Sequence, residues 1–250
     1  MKQLITLVST LVIIIAAYFV IRGSSNEVIV TNAQAIPVAG RDGLFMVTLD
    51  IQNDGPPKTV SGVSSPSARA ATIMNPGHAG EALVIPAQSN GSFAMDGAHL
   101  MLMGAESAFE EGSFLPLTIE FAGYGPVATR VLNAGTGMGM DHSLSGGVAA
   151  SPSPTLHIAA DTGFHSSGSD ISLTTQNFAF VAATEHQMHQ GHAHIYLNGL
   201  KLGRLYETQY QLGALPAGTF TLEVALNTNT HRPYVHEGQK VNDTLTFTLE

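Results

Sequence analysis

Residues 45–51, Phe-Met-Val-Thr-Leu-Asp-Ile, carry a large apolar side chain at every second position and run into the turn 53–57, Asn-Asp-Gly-Pro-Pro. A period of two places those apolar side chains on one face of a β-strand. Asn, Asp, Gly and Pro are the residues that turns favour. The alternation returns at 115–121, and again at 193–197 before Asn198-Gly199, a two-residue hairpin signal. Repeated strands with turn signals between them predict an all-β fold.

The composition of the chain argues against several classes of fold and function. The chain has 250 residues with 26 Gly, 12 Pro and 12% charged residues, which favours strands and turns over long helices. It contains no cysteine, which excludes a disulfide scaffold, a thiolate metal site and a cysteine nucleophile. Ten Lys+Arg against nineteen Asp+Glu give a formal charge of −9, so the sequence predicts no nucleic-acid partner.

An uncharged apolar run, 4–21, follows Lys2 near the N-terminus. As a helix it would be about 27 Å long, close to the roughly 30 Å hydrocarbon thickness of a bilayer. The run ends in bulky residues before Arg22, whereas signal peptidase prefers small ones. We therefore expect 1–23 to be an uncleaved anchor in the inner membrane, with the rest facing the periplasm. Secretion to the periplasm after signal cleavage is the alternative.

Two domains of roughly 100 residues each are predicted after the anchor, an ordinary domain size. They are 24–133 and 155–250, and both are expected to be β-sandwiches of the cupredoxin or immunoglobulin-like kind. Residues 134–154 between them are rich in Gly, Ser, Ala and Pro. That composition is typical of a flexible linker.

The first metal candidate is the heptapeptide 98–104, Ala-His-Leu-Met-Leu-Met-Gly. In a strand, His99, Met101 and Met103 share one face while the leucines occupy the other. Thioether sulfur is a soft ligand that needs no deprotonation, and it favours Cu(I). In the alternative interpretation the methionines only fill gaps in the core.

The surrounding segments resemble the periplasmic copper chaperone family called PCuAC. The similarity is carried by Asn-Asp-Gly at 53–55, Val-Ser-Ser-Pro at 63–66, Ala-Thr-Ile-Met at 71–74, Ile-Pro-Ala at 85–87, Gly-Ala-His-Leu-Met-Leu-Met-Gly at 97–104, Gly112, and Leu-Thr-Ile-Glu-Phe at 117–121. The resemblance implies a four-ligand Cu(I) site closed by His-x-Met, here His99 and Met101. Met74 stands where the family has its first His, and the hairpin that carries the second ligand is shortened to 75–80. The implied completion is therefore Met74 and His78.

The second metal candidate is 185–194, which holds four His and one Met in ten residues. His192 and His194 are expected to share a strand face, with His189 folding over it and His231 approaching from another loop. Imidazole-rich sites suit Cu(II) or zinc. The alternatives are a polar edge strand and a surface cluster that binds metal only adventitiously.

This second half resembles a His-rich periplasmic β-sandwich family of poorly defined role. The similarity covers Leu-Thr-Thr-Gln-Asn-Phe at 173–178, Gly-His-Ala-His-Ile-Tyr at 191–196, Arg-Leu-Tyr at 204–206, Leu-Pro-Ala-Gly at 215–218 and Asn-Thr-Asn-Thr-His at 227–231. Where members carry further His and Trp, this chain has Ser169, Ser172, Gln209 and Gln211.

Together these features predict a membrane-anchored copper metallochaperone that takes part in copper homeostasis. Its first domain is expected to hold Cu(I), and its second Cu(II), for delivery to a copper enzyme such as a respiratory oxidase or to an assembly factor. No nucleotide-binding or hydrolase motif is present, so the sequence predicts no enzyme. The alternatives are a copper-dependent redox enzyme centred on the second domain and a metal-free structural module.

Overall fold

The computed structural model describes residues 27–106, 109–135 and 146–250, and every regular element in these ranges is a β-strand. The all-β prediction is thus confirmed over the described residues. Within those ranges no helix has the length and hydrophobicity required to span a membrane. The predicted anchor helix at 4–21 lies outside them.

Nine strands build the first domain, and alternate residues of each face its core. Their bounds are β1 Val28–Pro37, β2 Leu44–Asn53, β3 Lys58–Ser64, β4 Ala68–Met74, β5 Leu83–Ile85, β6 Ser89–Phe93, β7 His99–Ala105, β8 Phe114–Phe121 and β9 Gly125–Asn133. β7 lies between β2 and β4, antiparallel to both. On the other side of the core, β8 pairs with β3 and β9. Val47, Leu100 and Leu117 are completely buried between the two layers.

Eleven strands follow in the described part of the second half. Their bounds are β10 Val148–Ala149, β11 Thr155–Ala160, β12 Ser169–Gln176, β13 Ala179–Phe180, β14 Gln190–Leu197, β15 Leu200–Leu205, β16 Gln209–Leu212, β17 Gly218–Thr228, β18 Tyr234–His236, β19 Gln239–Lys240 and β20 Asn242–Leu249. β14 is central, antiparallel to β15 and β17. A second layer, β11-β12-β16, covers one face, and the core between them includes Ile158, Ile171 and Ile195.

Part of the predicted linker forms a β-strand. Val148–Ala149, inside the predicted linker, pairs with β18, because a short extended segment satisfies its backbone groups by joining a neighbouring strand. Residues 136–145 of the predicted linker lie outside the described residues.

The sequence interpretation implied two separate modules joined by a flexible tether. In the structure, the two domains are in direct contact. Lys201 on β15 pairs with Ser92 on β6, so one sheet continues across the boundary. The Ala98 N–H donates to the carbonyl of Gly199 at 2.8 Å. Leu200 packs in the core of the first domain, and Val84 packs in the core of the second. Each domain therefore completes the other's apolar interior.

Candidate metal centre

Three imidazoles converge at one end of the second domain. On β14, Ala193, Ile195 and Leu197 are fully buried in the domain core, so the period of two sends His192 and His194 to the opposite face. His231 follows β17 in a turn and reaches them with a positive φ of 63°. One nitrogen from each ring lies within 4.8 Å of the others. We call His192, His194 and His231 the histidine triad.

The triad has a buried pair and an open side. His192 and His194 are 0% and 3% exposed, whereas His231 is exposed. The Nε2 atoms of the buried pair lie 3.0 Å apart. The Nδ1 of His192 is buried without a hydrogen-bond partner in the described structure. A buried nitrogen without a partner is costly.

The electrostatics favour neutral imidazoles. Burial, followed by the neighbouring His194 and His231, lowers the pKa of His192 to about 3. Burial also lowers the pKa of His194, although Asp96 opposes this shift. Burial and the charge of Arg204 lower the pKa of His231. Neutral rings keep the lone pairs that a metal ion requires.

These shifts predict that the metal-free chain loses stability as the pH falls from about 6.5 towards 3. In that window the unfolded chain takes a proton at residue 192, whose unperturbed pKa is 6.5, and the folded chain does not. Urea unfolding at several pH values, with a chelator present, measures the effect. We expect His192→Asn to flatten the pH dependence. The control His236→Asn alters a histidine side chain that is 64% exposed and outside the triad, and should keep the wild-type slope.

A carboxylate from the first domain lies against the triad. Asp96 sits in the turn between β6 and β7, and its Oδ2 lies 2.7 Å from Nδ1 of His194. The same oxygen accepts from the Tyr196 hydroxyl at 2.9 Å and from Lys201 Nζ at 2.8 Å. Burial opposes ionisation of Asp96, but the hydrogen bond with His194 and the charge of Lys201 hold its pKa well below the usual range. Burial and Asp96 together raise the pKa of Tyr196, which stays protonated.

The triad opens into a groove of about 1130 Å³ that crosses both domains. Outward-facing residues of β1, β2, β6, β14, β15 and β17 line it, among them Gln34, Asp50, Ser92, His194, Lys201 and Asn227. Solvent therefore reaches the triad along this face.

The first candidate occupies the outer face of β7, as the alternation predicts. Leu100 and Leu102 are completely buried, while His99, Met101 and Met103 are half-buried on the other face. Met74 on β4 pairs directly with His99. On the other side of β7, Met46 of β2 pairs directly with Met101. Residues paired in this way have Cβ atoms about 5 Å apart. We call His99, Met101, Met74 and Met46 the methionine face.

His78 is placed differently from the other predicted ligands of the first site. Its Nδ1 lies 3.1 Å from Glu81 Oε2, and its ring lies beside Gly199 of the second domain. His99 Nδ1 lies 3.0 Å from the carbonyl of Gly97, which leaves Nε2 of that ring to act as a ligand. His78 is held by contacts of its own, and Met46 is the closer supplement to His99 and Met101 by strand register.

His189 is also separated from the group it was expected to join. It has a positive φ of 63°, and its Nε2 lies 2.9 Å from the carbonyl of Pro152. This hydrogen-bond contact holds the ring against a segment that lies outside the triad. Of the four predicted second-domain ligands, the structure brings together His192, His194 and His231.

Sequence reasoning missed two residues of these sites, Met46 and Asp96. Met46 occupies a polar-face position of the first strand recognised, and only the β2–β7 register reveals that it faces Met101. It is 8% exposed yet belongs to neither apolar core. Asp96 belongs to a short Asp-Gly turn. Such turns are common, and no local signal connects this one with a histidine about a hundred positions later.

The family match found for this chain lies within the first domain. Residues 27–132, less than half of the chain, match the LpqE-like lipoprotein family. Similar solved structures include the apo PCuAC domain of PmoF1, 19% identical, covering 44% of this chain and 95% of that one with a TM-score of 0.40. The copper-bound PCuAC domain from PmoF2 is 19% identical, with coverages of 44% and 94% and a TM-score of 0.38.

The predicted resemblance of the first domain to PCuAC domains is confirmed by these matches. At such identities and TM-scores, the solved structures carry no argument about the ligands of this chain. No curated protein sequence matches it significantly.

Proposed function

We propose that this chain is a copper-binding protein of the metallochaperone type. The observation that carries the proposal is the convergence of three imidazole nitrogens within 4.8 Å, two buried and one exposed. Three neutral nitrogen donors suit Cu(II) or zinc, and the Nε2 atoms of the two buried rings lie 3.0 Å apart. Of these two ions we propose Cu(II), because the methionine face on the adjoining domain suits copper.

The methionine face supplies the Cu(I) ligands in this proposal. His99 and Met101 are the central pair, with Met74 and Met46 opposite them on the two flanking strands. One imidazole and several thioethers form a soft ligand set that favours Cu(I) over divalent ions. The His-x-Met that the first domain shares with PCuAC chaperones agrees with this assignment.

Transfer is favoured over storage by the exposure of one ligand in each set. Met74 is 47% exposed, and His231 is exposed. An exposed ligand can be displaced by a donor from a recipient without opening the core. Each ion would leave by stepwise ligand replacement, with the buried ligands released last.

The setting of this activity is part of the proposal. We propose that 4–21 anchors the chain in the inner membrane and that both domains face the periplasm. The recipient would be a copper enzyme, such as a respiratory oxidase, or an assembly factor for one.

Competitive titration of the full chain with Cu(I) and with Cu(II) tests this function. We expect His192→Ala/His194→Ala to weaken Cu(II) binding at least 100-fold and to leave Cu(I) binding within 3-fold, because neither residue belongs to the methionine face. We expect His99→Ala/Met101→Ala to weaken Cu(I) binding at least 100-fold and to leave Cu(II) binding within 3-fold. Met46→Leu, which keeps the apolar volume, should weaken Cu(I) alone.

The matched control is His157→Ala/His165→Ala, which removes two exposed histidines outside the triad. It should bind both ions as the wild type does. Equal loss of Cu(II) in this control would reduce the second site to nonspecific surface binding. Catalytic turnover of superoxide by the copper-loaded chain would favour a redox enzyme over a chaperone.

A further inference from the structure

Asp96 is the single point at which the first domain contacts the histidine triad through a charged group among the described residues. Its Oδ2 lies 2.7 Å from His194 Nδ1 and also accepts from Tyr196 and Lys201. Asp96 belongs to the first domain, and its three partners belong to the second. The turn is held in place, because Ala98 donates to the Gly199 carbonyl at 2.8 Å.

The groups around Nδ1 of His194 favour hydrogen on that nitrogen. A carboxylate only accepts, whereas a protonated phenol and an ammonium donate. Nδ1 of His194 lies 2.7 Å from the carboxylate oxygen, 3.0 Å from Lys201 Nζ and 3.2 Å from the Tyr196 hydroxyl. Hydrogen on Nδ1 is the arrangement in which the carboxylate accepts from all three of these groups. Its Nε2 is then unprotonated, and this is the atom that lies 3.0 Å from Nε2 of His192. Asp96 thus selects the tautomer whose free lone pair points into the triad.

In metal sites, a carboxylate that accepts from the second nitrogen of a histidine fixes the ring orientation and increases its basicity as a ligand. The contact between Asp96 and His194 joins the same two groups, a carboxylate and an imidazole, except that the carboxylate comes from another domain. Asp96 also balances the charge of Lys201, whose ammonium lies 3.0 Å from Nδ1 and 3.3 Å from Nε2 of His194 and would otherwise repel a cation.

We propose that Asp96 is a positioning residue that the first domain supplies to the metal site of the second. The inference rests on the proposed function of the triad as a copper site. It makes full Cu(II) affinity dependent on the docked arrangement of the two domains. By linkage, Cu(II) bound at the triad stabilises that docked arrangement to the same extent.

Cu(II) titration of the full chain against a competing chelator, together with electron paramagnetic resonance, tests the proposal. Asp96→Asn keeps the size of the side chain and removes its charge. We expect Cu(II) affinity at the triad to fall about 10- to 100-fold, with a changed copper hyperfine splitting. Cu(I) affinity at the methionine face should not change. The matched control is Asp243→Asn, which neutralises a carboxylate 3.1 Å from Nδ1 of His157, outside the triad; it should retain the wild-type affinity and spectrum.

A double variant separates positioning from charge balance. Asp96→Asn/Lys201→Met removes the unpaired ammonium together with the carboxylate, and we expect the affinity loss and altered spectrum to persist. Restoration of wild-type affinity in the double variant would overturn the proposal, since Asp96 would then act only as the counter-ion of Lys201. Wild-type affinity and spectrum in Asp96→Asn would overturn it as well, with the proposed function intact. Failure of the wild-type triad to bind Cu(II) would overturn both.

Discussion

Gly191→Ala is expected to destabilise the folded chain by more than about 4 kcal/mol, a loss seen only where a substitution creates a severe conflict. Gly191 lies on β14 opposite Thr228 of β17. A Cβ at this position would lie 1.9 Å from the carbonyl oxygen of Asn227. That oxygen belongs to the backbone, so relief requires the two strands to separate beside His192.

The chain contains a matched control for this prediction. Gly203 has a φ of +158°, against +159° for Gly191, but a Cβ there would meet nothing within 4 Å. Gly203→Ala should therefore cost only the backbone strain, about 1–3 kcal/mol. Urea unfolding of both variants measures the difference, and equal losses would show that the contact with Asn227 is not the cause.

Leu200→Ala is expected to lower the free energy of unfolding by about 2–5 kcal/mol, the range for deleting a buried leucine. Leu200 is completely buried in the core of the first domain, although it belongs to a strand of the second. The cavity therefore opens in one domain through a change in the other. We expect both domains of the variant to unfold in a single earlier transition.

Unfolding followed by a probe in each domain tests this prediction. Ile29→Ala is the control, because Ile29 is 41% exposed and its truncation should cost about 0.5 kcal/mol or less. Two separate transitions, with only the first-domain probe shifted by Leu200→Ala, would contradict the interlocked arrangement.

Periodicity was sufficient to predict much of the fold. The alternation around β2, β7 and β14 identifies strands and the face that each one buries, because a half-buried strand must alternate. Asn198-Gly199 predicts the β14–β15 hairpin, which the structure contains. The pairing of β6 with β15 could not be predicted, because contacts between domains leave no local pattern in either segment.

The residues of the candidate sites also fall into two groups. Spacing along a strand predicts some of them, and contacts with distant segments determine the others. His192 and His194 share a face because they are two positions apart on one strand, which the sequence shows directly. His189 is equally close in sequence, but its contact with Pro152 depends on the path of a distant segment. Asp96 and Met46 were missed because strand register and domain docking, rather than local composition, bring them to the sites.

Leu200 of the second domain packs in the core of the first, and Val84 of the first domain packs in the core of the second. This arrangement has a consequence for how the chain folds during synthesis. A nascent chain that ends before residue 200 lacks the Leu200 side chain, which is completely buried in the core of the first domain. The first domain reaches its final packing only after β15 arrives. Fragments truncated before this strand would expose the apolar residues that β15 covers, and exposed apolar surface favours aggregation.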